Sequence, residues 1–247
     1  MAGVRVGVAP GGAGGPAGGA APGVAAELGV GVAHRSGAGR RFAAVHRPAA
    51  NGRRATPTGR GPGALVAPLA GRGPAAAPAV VVDLCCGSGA VGAALVAALG
   101  PDTELYAADV DPAAVRCARR NVAAVGGRVY AGDLFAPLPA ALRGRIDVLA
   151  ANVPYVPSDA IALLPPEARD HEPLVALDGG TDGLDVLRRV AAAAREWLAP
   201  GGCVLVETSE RQAARAALAF LRGGLAARLT CSDELDVTVV IGTPRAG

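Results

Sequence analysis

Residues 146–158 read IDVLAANVPYVPS, an apolar run that stops at Asn152 and then turns through Pro154 and Pro157. Asp147 is its only polar member before Asn152, and the run does not alternate, which is the pattern of a strand buried on both faces of a parallel sheet. Proline cannot donate to a strand ladder, so the chain must leave the sheet at about Asn152. This places the chain in the α/β class, where ligands sit in the crevice beyond the carboxyl ends of the strands. Asn152 and Tyr155 would emerge there. A turn-forming Asn between two prolines accounts for the same residues without any ligand, so the remainder of the chain has to decide.

The 247 residues suffice for one large α/β domain, or a moderate one with an appendage. Charge is unevenly distributed: residues 1–77 hold nine Arg against one Glu, and the remainder holds fifteen Arg against twenty acids. The segment 1–77 is Gly-, Ala-, Pro- and Arg-rich with Phe42 as its one aromatic, so burial cannot repay the entropy of ordering it. It is predicted to be disordered, with residues 63–69 able to pack on a domain edge, and the folded domain to span 78–247. A second reading makes the segment a cationic tail that meets RNA or the ribosome through phosphates, sequence-blind and salt-sensitive. Cys85, Cys86, Cys117, Cys203 and Cys231 form no CxxC pair and have no His at metal-ligand spacing, so no metal is expected. They read as small buried apolar residues in a reducing cytoplasm. No stretch has the character of a membrane span or a signal peptide.

The folded part opens with the apolar strand 79–84, followed by CCGSGAVG and a helix through Leu99. Gly87 and Gly89 permit backbone angles and a close approach that a Cβ would forbid, so a cofactor can lie against this turn and the helix N-terminus. A second strand, 104–109, ends in Asp109 about twenty residues after the glycine turn, the spacing of a ribose-binding acid. Asp111 then caps a helix that has Pro112 at its first position and runs to about Val125. A third strand, 128–131, delivers Asp133, which can accept a hydrogen bond from an adenine amino group. Asp83 stands inside the first strand, where a carboxylate needs partners. The glycine turn or a bound amino acid moiety would supply them.

VVDLCCGSGAVG, YAADVDPAAVRCARRN, GDLF, IDVLAANVPY and LAPGGCVLVE, in that order, resemble the successive motifs of class I S-adenosylmethionine-dependent methyltransferases. Asn152-Val153-Pro154-Tyr155 is similar to the NPPY motif of enzymes that methylate planar amide or amino nitrogens. HEPLVALDGGTDGLDVLRRV and the following VLVETSERQ resemble the protein-(glutamine-N5) methyltransferases that modify the Gly-Gly-Gln loop of peptide chain release factors. The resemblance covers residues 79–243. It implies a Rossmann-like, mostly parallel seven-stranded sheet with a C-terminal antiparallel hairpin. S-adenosylmethionine would lie with its methionine part along Gly87 and Gly89, its ribose at Asp109 and its adenine at Asp133, with Asp83 and Asn152 also bordering it. Asn152, Val153, Pro154 and Tyr155 would hold the target glutamine, Asn152 and Tyr155 being the catalytic pair. Two departures stand out. Val153 occupies the family's first proline position, and residues 1–77 match neither the helical substrate-recognition domain nor the linker that the family carries ahead of the first strand.

An amide nitrogen is a poor nucleophile because its lone pair is delocalised. Two acceptors, the Asn152 side-chain oxygen and the Val153 carbonyl, would take both N–H protons and orient the nitrogen, while Tyr155 would stack on the flat amide. His171, a loop residue between Asp170 and Glu172, reads as a surface hydrogen-bonder and not as a base. Residues 156–180 read as an unstructured loop lying over the substrate, with Glu172 and Asp178 capping its turns. Thr181 or Asp182 would then cap a helix through Trp197, with Leu184, Leu187, Val190 and Ala194 on one face. A strand at 203–207, an Ala-rich helix to about Arg222 and strands near 227–230 and 236–241 complete the reading. A release factor is the expected partner, a monomer the expected unit and the cytoplasm the expected compartment. Methylation of an exocyclic amine in nucleic acid remains open, because that group is flat and offers two protons as an amide does. So does a scaffold that binds the cofactor without turnover.

Overall fold

The computed structural model describes residues 78–232 and 237–245. The expectations for residues 1–77 lie outside the described residues. Strand β1 (Val80–Leu84) leads through the glycine turn into helix α1 (Ala90–Leu99), then β2 (Glu104–Asp109), α2 (Pro112–Val122) and β3 (Arg128–Ala131). Strand β4 (Ile146–Ala151) follows, and after it come a 3-10 helix at Ser158–Leu163 and the short helices α3 (Pro166–Arg169) and α4 (Leu174–Leu177). Helix α5 (Asp185–Trp197), β5 (Leu198–Thr208), α6 (Ala213–Arg222), β6 (Leu225–Ser232) and β7 (Val237–Pro244) complete the order. The expected seven strands form one sheet, in the order β3-β2-β1-β4-β5-β7-β6. β1 to β5 are parallel, and β7 runs antiparallel to both its neighbours.

Both faces of the sheet are covered, which is why its central strands do not alternate. Val81, Leu105, Val148 and Ala150 pack with Leu95 and Val96 of α1 and Val122 of α2. Val82, Leu84, Leu149 and Ala151 pack on the other face with Leu187, Val190 and Ala194 of α5 and Phe220 of α6. All six residues of β4 are buried. At about 1.5–3 kcal/mol for each fully buried large aliphatic side chain, this strand gives the loop after it a rigid base. Asp147 survives in that strand because its Oδ2 accepts a hydrogen bond from the Val80 N–H at 2.8 Å. The strand order reverses between β1 and β4, so the chain departs from these two tips in opposite directions and a crevice opens between them.

Four expectations are corrected. β5 begins at Leu198, five residues before Cys203, because the 199–202 turn bulges within a strand whose pairing with β4 starts at Ile146↔Leu198 and resumes at Val148↔Cys203. Helix α5 starts at Asp185 without a side-chain cap. Asp182 instead engages Arg188 at 2.5 Å, and Gly183 at φ +74° separates it from the helix. Residues 156–180 carry three short helical turns and so are not structureless. Cys231 is exposed, near the end of edge strand β6, and Cys85 and Cys117 are half-buried; the buried reading holds for Cys86 and Cys203.

Candidate functional site

At the end of β1, Asp83 is buried, and its Oδ2 accepts the Gly92 N–H at 2.9 Å. Gly92 has to be small, since a Cβ there would stand 3.1 Å from Asp83 Oδ2 and 2.8 Å from Leu105 Cδ1. Among the described residues, Asp83 Oδ1 has no hydrogen-bond partner. Burial pushes this carboxyl up to about 7, outweighing the Gly92 hydrogen bond, and the nearby Asp109 charge adds to the rise.

The glycine turn is pinned to the tip of β2. Gly87 N–H donates to Asp109 Oδ2 at 2.8 Å, and Asp111 N–H donates to Asp109 Oδ1 at 2.9 Å. Asp111 in turn caps α2 through Ala113 and Ala114 N–H, as expected. Each Asp109 oxygen keeps a further lone pair, so the carboxylate is fixed in place and still able to accept. Gly87 borders the crevice at φ +54° with open space where a Cβ would stand. Gly89 does not line it. A Cβ there would fall 2.7 Å from Val122 Cγ1 and 3.3 Å from Ala118 Cβ, so this glycine lets α1 pack on α2.

Asn152, Val153, Pro154 and Tyr155 line the same crevice as Asp83, Gly87 and Asp109, in a volume of about 380 Å³. The Asn152 side chain is exposed, Tyr155 is half-buried, and Val153 is buried against the α5 side of the sheet. A valine at this position therefore fills core and still borders the crevice. Behind the tip, Val156 N–H donates to Leu177 O at 3.0 Å and Gly179 N–H to Val156 O at 2.9 Å. Gly179 is confined by this contact, because a Cβ there would lie 2.7 Å from both Pro154 O and Gly183 O. Asp178 caps the turn by accepting from Ser158 Oγ at 2.7 Å and Gly180 N–H at 2.9 Å, which holds its carboxyl below the usual range.

Asp133 stands apart from this group. It borders an adjoining hollow that it shares with Asp109, Val110 and Pro154, and it is ion-paired with Arg189 of α5, both side chains being half-exposed. Any ligand at Asp133 thus meets a carboxylate already partnered. Glu172 lines the crevice, a position that its reading as a turn cap does not describe, whereas His171 is exposed and does not. Glu207, near the end of β5, also lines the crevice and was missed; its place near the carboxyl end of the strand beside β4 was the available signal. Cys85, at φ +51°, and Cys86 line the crevice as neutral thiols, burial pushing Cys85 up to about 12 and Cys86 higher still. Among the described residues no cluster of His, Cys, Asp or Glu is arranged to hold a metal ion, and no helix is long and apolar enough to cross a membrane.

A solved carbon methyltransferase, CurJ, superposes on this fold with a TM-score of 0.52 at 12% identity over 74% of this chain and 53% of that one. The fold is the Rossmann-like methyltransferase fold. Residues 60–163 match the Methyltransferase small domain family. Two curated relatives that the chain resembles are release factor glutamine methyltransferases: that of Geobacter sulfurreducens is 38% identical over 66% of this chain, and that of Mycolicibacterium smegmatis 40% identical over 68%. The ribosomal protein uL3 glutamine methyltransferase of Burkholderia pseudomallei is 42% identical over 54% of this chain and covers 45% of its own length. The chain spans 57% of the length of each of the first two relatives.

Proposed function

We propose that this protein transfers a methyl group from S-adenosylmethionine to the side-chain amide nitrogen of a protein glutamine, with a peptide chain release factor as the first candidate substrate. The observation that supports this most is the shared crevice: the amide and ring at the tip of β4 border the same space as the acids and glycine at the tips of β1 and β2. The glutamine methyltransferases that the chain resembles favour an amide over other flat acceptors.

The residues present fit the cofactor. Asp83 Oδ1, buried and unpartnered beside the crevice, offers an acceptor for the cofactor's α-ammonium. Asp109, held by two backbone N–H groups, offers acceptors for the ribose hydroxyls. Gly87 leaves room for the chain between them. When bound, S-adenosylmethionine supplies an electrophilic methyl carbon with a neutral thioether as its leaving group. The protein's part is orientation. The Asn152 side-chain oxygen and the Val153 carbonyl accept the two amide N–H protons, turning the nitrogen lone pair toward the crevice within a near-attack separation of about 3–3.5 Å. Tyr155 covers the amide plane and excludes water. Methylation makes the nitrogen acidic, so its proton can leave without a strong base. The same reading takes 78–247 as the methyltransferase domain, with a single chain working in the cytoplasm and the arginines of 1–77 giving a salt-sensitive contact with RNA or the ribosome.

The test incubates the full chain with methyl-labelled cofactor and a release factor. Label is expected on the release factor, lost when its Gly-Gly-Gln glutamine is replaced and lost with Asn152→Ala. Label appearing only in nucleic acid, or cofactor binding with no transfer to any acceptor, would overturn the proposal.

A further inference from the structure

Gln212 ends the 3-10 turn Glu210–Gln212 between β5 and α6 and is 8% exposed. A buried primary amide is costly unless its hydrogen bonds are made. Here three are. Nε2 donates to the Tyr155 carbonyl at 2.9 Å and to the Asp182 carbonyl at 3.0 Å, and Oε1 accepts from Ser209 Oγ at 2.6 Å. Two carbonyl oxygens can be met only by the NH2 end of the amide, so the network itself fixes which way the side chain faces.

The two carbonyls belong to different segments. Tyr155 closes the tip that β4 presents to the crevice, and Asp182 lies in the turn before α5. Gly183 is shaped to this junction: it sits at φ +74°, and a Cβ there would collide with both the Tyr155 carbonyl oxygen and Gln212 Nε2. We infer that Gln212 is a positioning residue, whose side-chain amide clamps the backbone of the Asn152–Tyr155 tip to the Asp182–Gly183 turn and thereby sets how Asn152 and Tyr155 face the crevice. Pinning the carbonyl of Tyr155 fixes that peptide plane, and with it the backbone from which the ring projects. Glutamate, of the same length, would set a charge against two carbonyl dipoles and supply no donor. Leucine would keep the bulk and lose all three bonds. The consequence for catalysis rests on the function proposed above; the clamp itself does not.

The test compares wild type, Gln212→Leu and Gln212→Asn in the full chain, the asparagine being one methylene too short to reach both carbonyls. Hydrogen exchange in peptides covering 152–157 and 180–185 should rise by roughly tenfold or more while that of β4 is unchanged, the mark of local opening. Affinity for S-adenosylmethionine alone should stay within about threefold, since Gln212 is outside the residues lining the crevice. Methyl transfer to release factor should lose about ten- to hundredfold in kcat with a smaller change in KM, as a displaced reacting group does. Wild-type exchange at the tip in both variants would overturn the clamp, as would exchange rising equally throughout β4. Should wild type transfer no methyl group, the proposed function falls, and the exchange result still decides the clamp.

Discussion

The two sides of the crevice are built on different length scales. On the side of β1 and β2, Asp109 and the glycine turn hold each other within one strand-helix-strand unit, Gly87 and Asp109 being twenty-two residues apart. On the side of β4, Val156 pairs with Leu177 and Gly179 over a similar span, but the Tyr155 carbonyl is held from far along the chain, by Gln212, fifty-seven residues on. The first side carries its own support, whereas the second is aimed by segments that fold later in sequence. Affinity for cofactor and competence for transfer should therefore be separable.

Asn152→Ala gives the largest expected effect. Transfer to release factor should fall by about two to three orders of magnitude, because one of two acceptors orienting the nitrogen is gone, while cofactor affinity measured by calorimetry moves less than about threefold. Asp109→Asn should invert that pattern, weakening cofactor binding by roughly ten- to hundredfold through loss of charge-assisted hydrogen bonds. If both variants lowered binding and transfer together, the two sides would be one mechanical unit. Gly89→Ala tests the self-supporting side without touching the crevice. A Cβ against Val122 at positive φ should cost about 1–3 kcal/mol, read as a lower melting temperature.

Asp83 adds a pH dependence. Its carboxyl rises from 3.8 to about 7 on folding, so the folded chain binds this proton more tightly than the unfolded one. The stability it contributes is complete below about pH 4 and is lost as pH rises to about 7, at about 1 kcal/mol per pH unit in denaturant titrations. A cationic ammonium needs the ionised form, so cofactor affinity should climb by about tenfold between pH 5.5 and 7. Asp83→Asn should flatten both slopes. The smallest effect is expected of Arg189→Ala, which breaks an ion pair between half-exposed side chains and should change stability by less than about 1 kcal/mol.

This contrast in length scale also sets what could be read from the sequence. The Asp111 cap, the bounds of β2 and β3 and the end of β4 before Asn152 depend on neighbours a few residues away, and all were legible. Asp133 was not: as a strand-tip acid it reads like Asp109, and only the fold brings Arg189 to it across fifty-six residues. Gly89 reads as a cofactor glycine for the same reason that Gly87 does, since nothing in the turn distinguishes the one facing Val122 from the one facing the crevice. Gly179 and Gly183 answer to Pro154, Tyr155 and Gln212, contacts that no local pattern encodes.

A crystal structure of the protein with a non-reactive S-adenosylmethionine analogue and a Gly-Gly-Gln peptide would test the joining of the two sides most directly. The account predicts the glutamine amide nitrogen held by the Asn152 side chain and the Val153 carbonyl, about 3–3.5 Å from the position of the transferable carbon, with the analogue lying along Gly87 and Asp109. An analogue bound there with the glutamine held elsewhere, and Asn152 left in solvent, would contradict it.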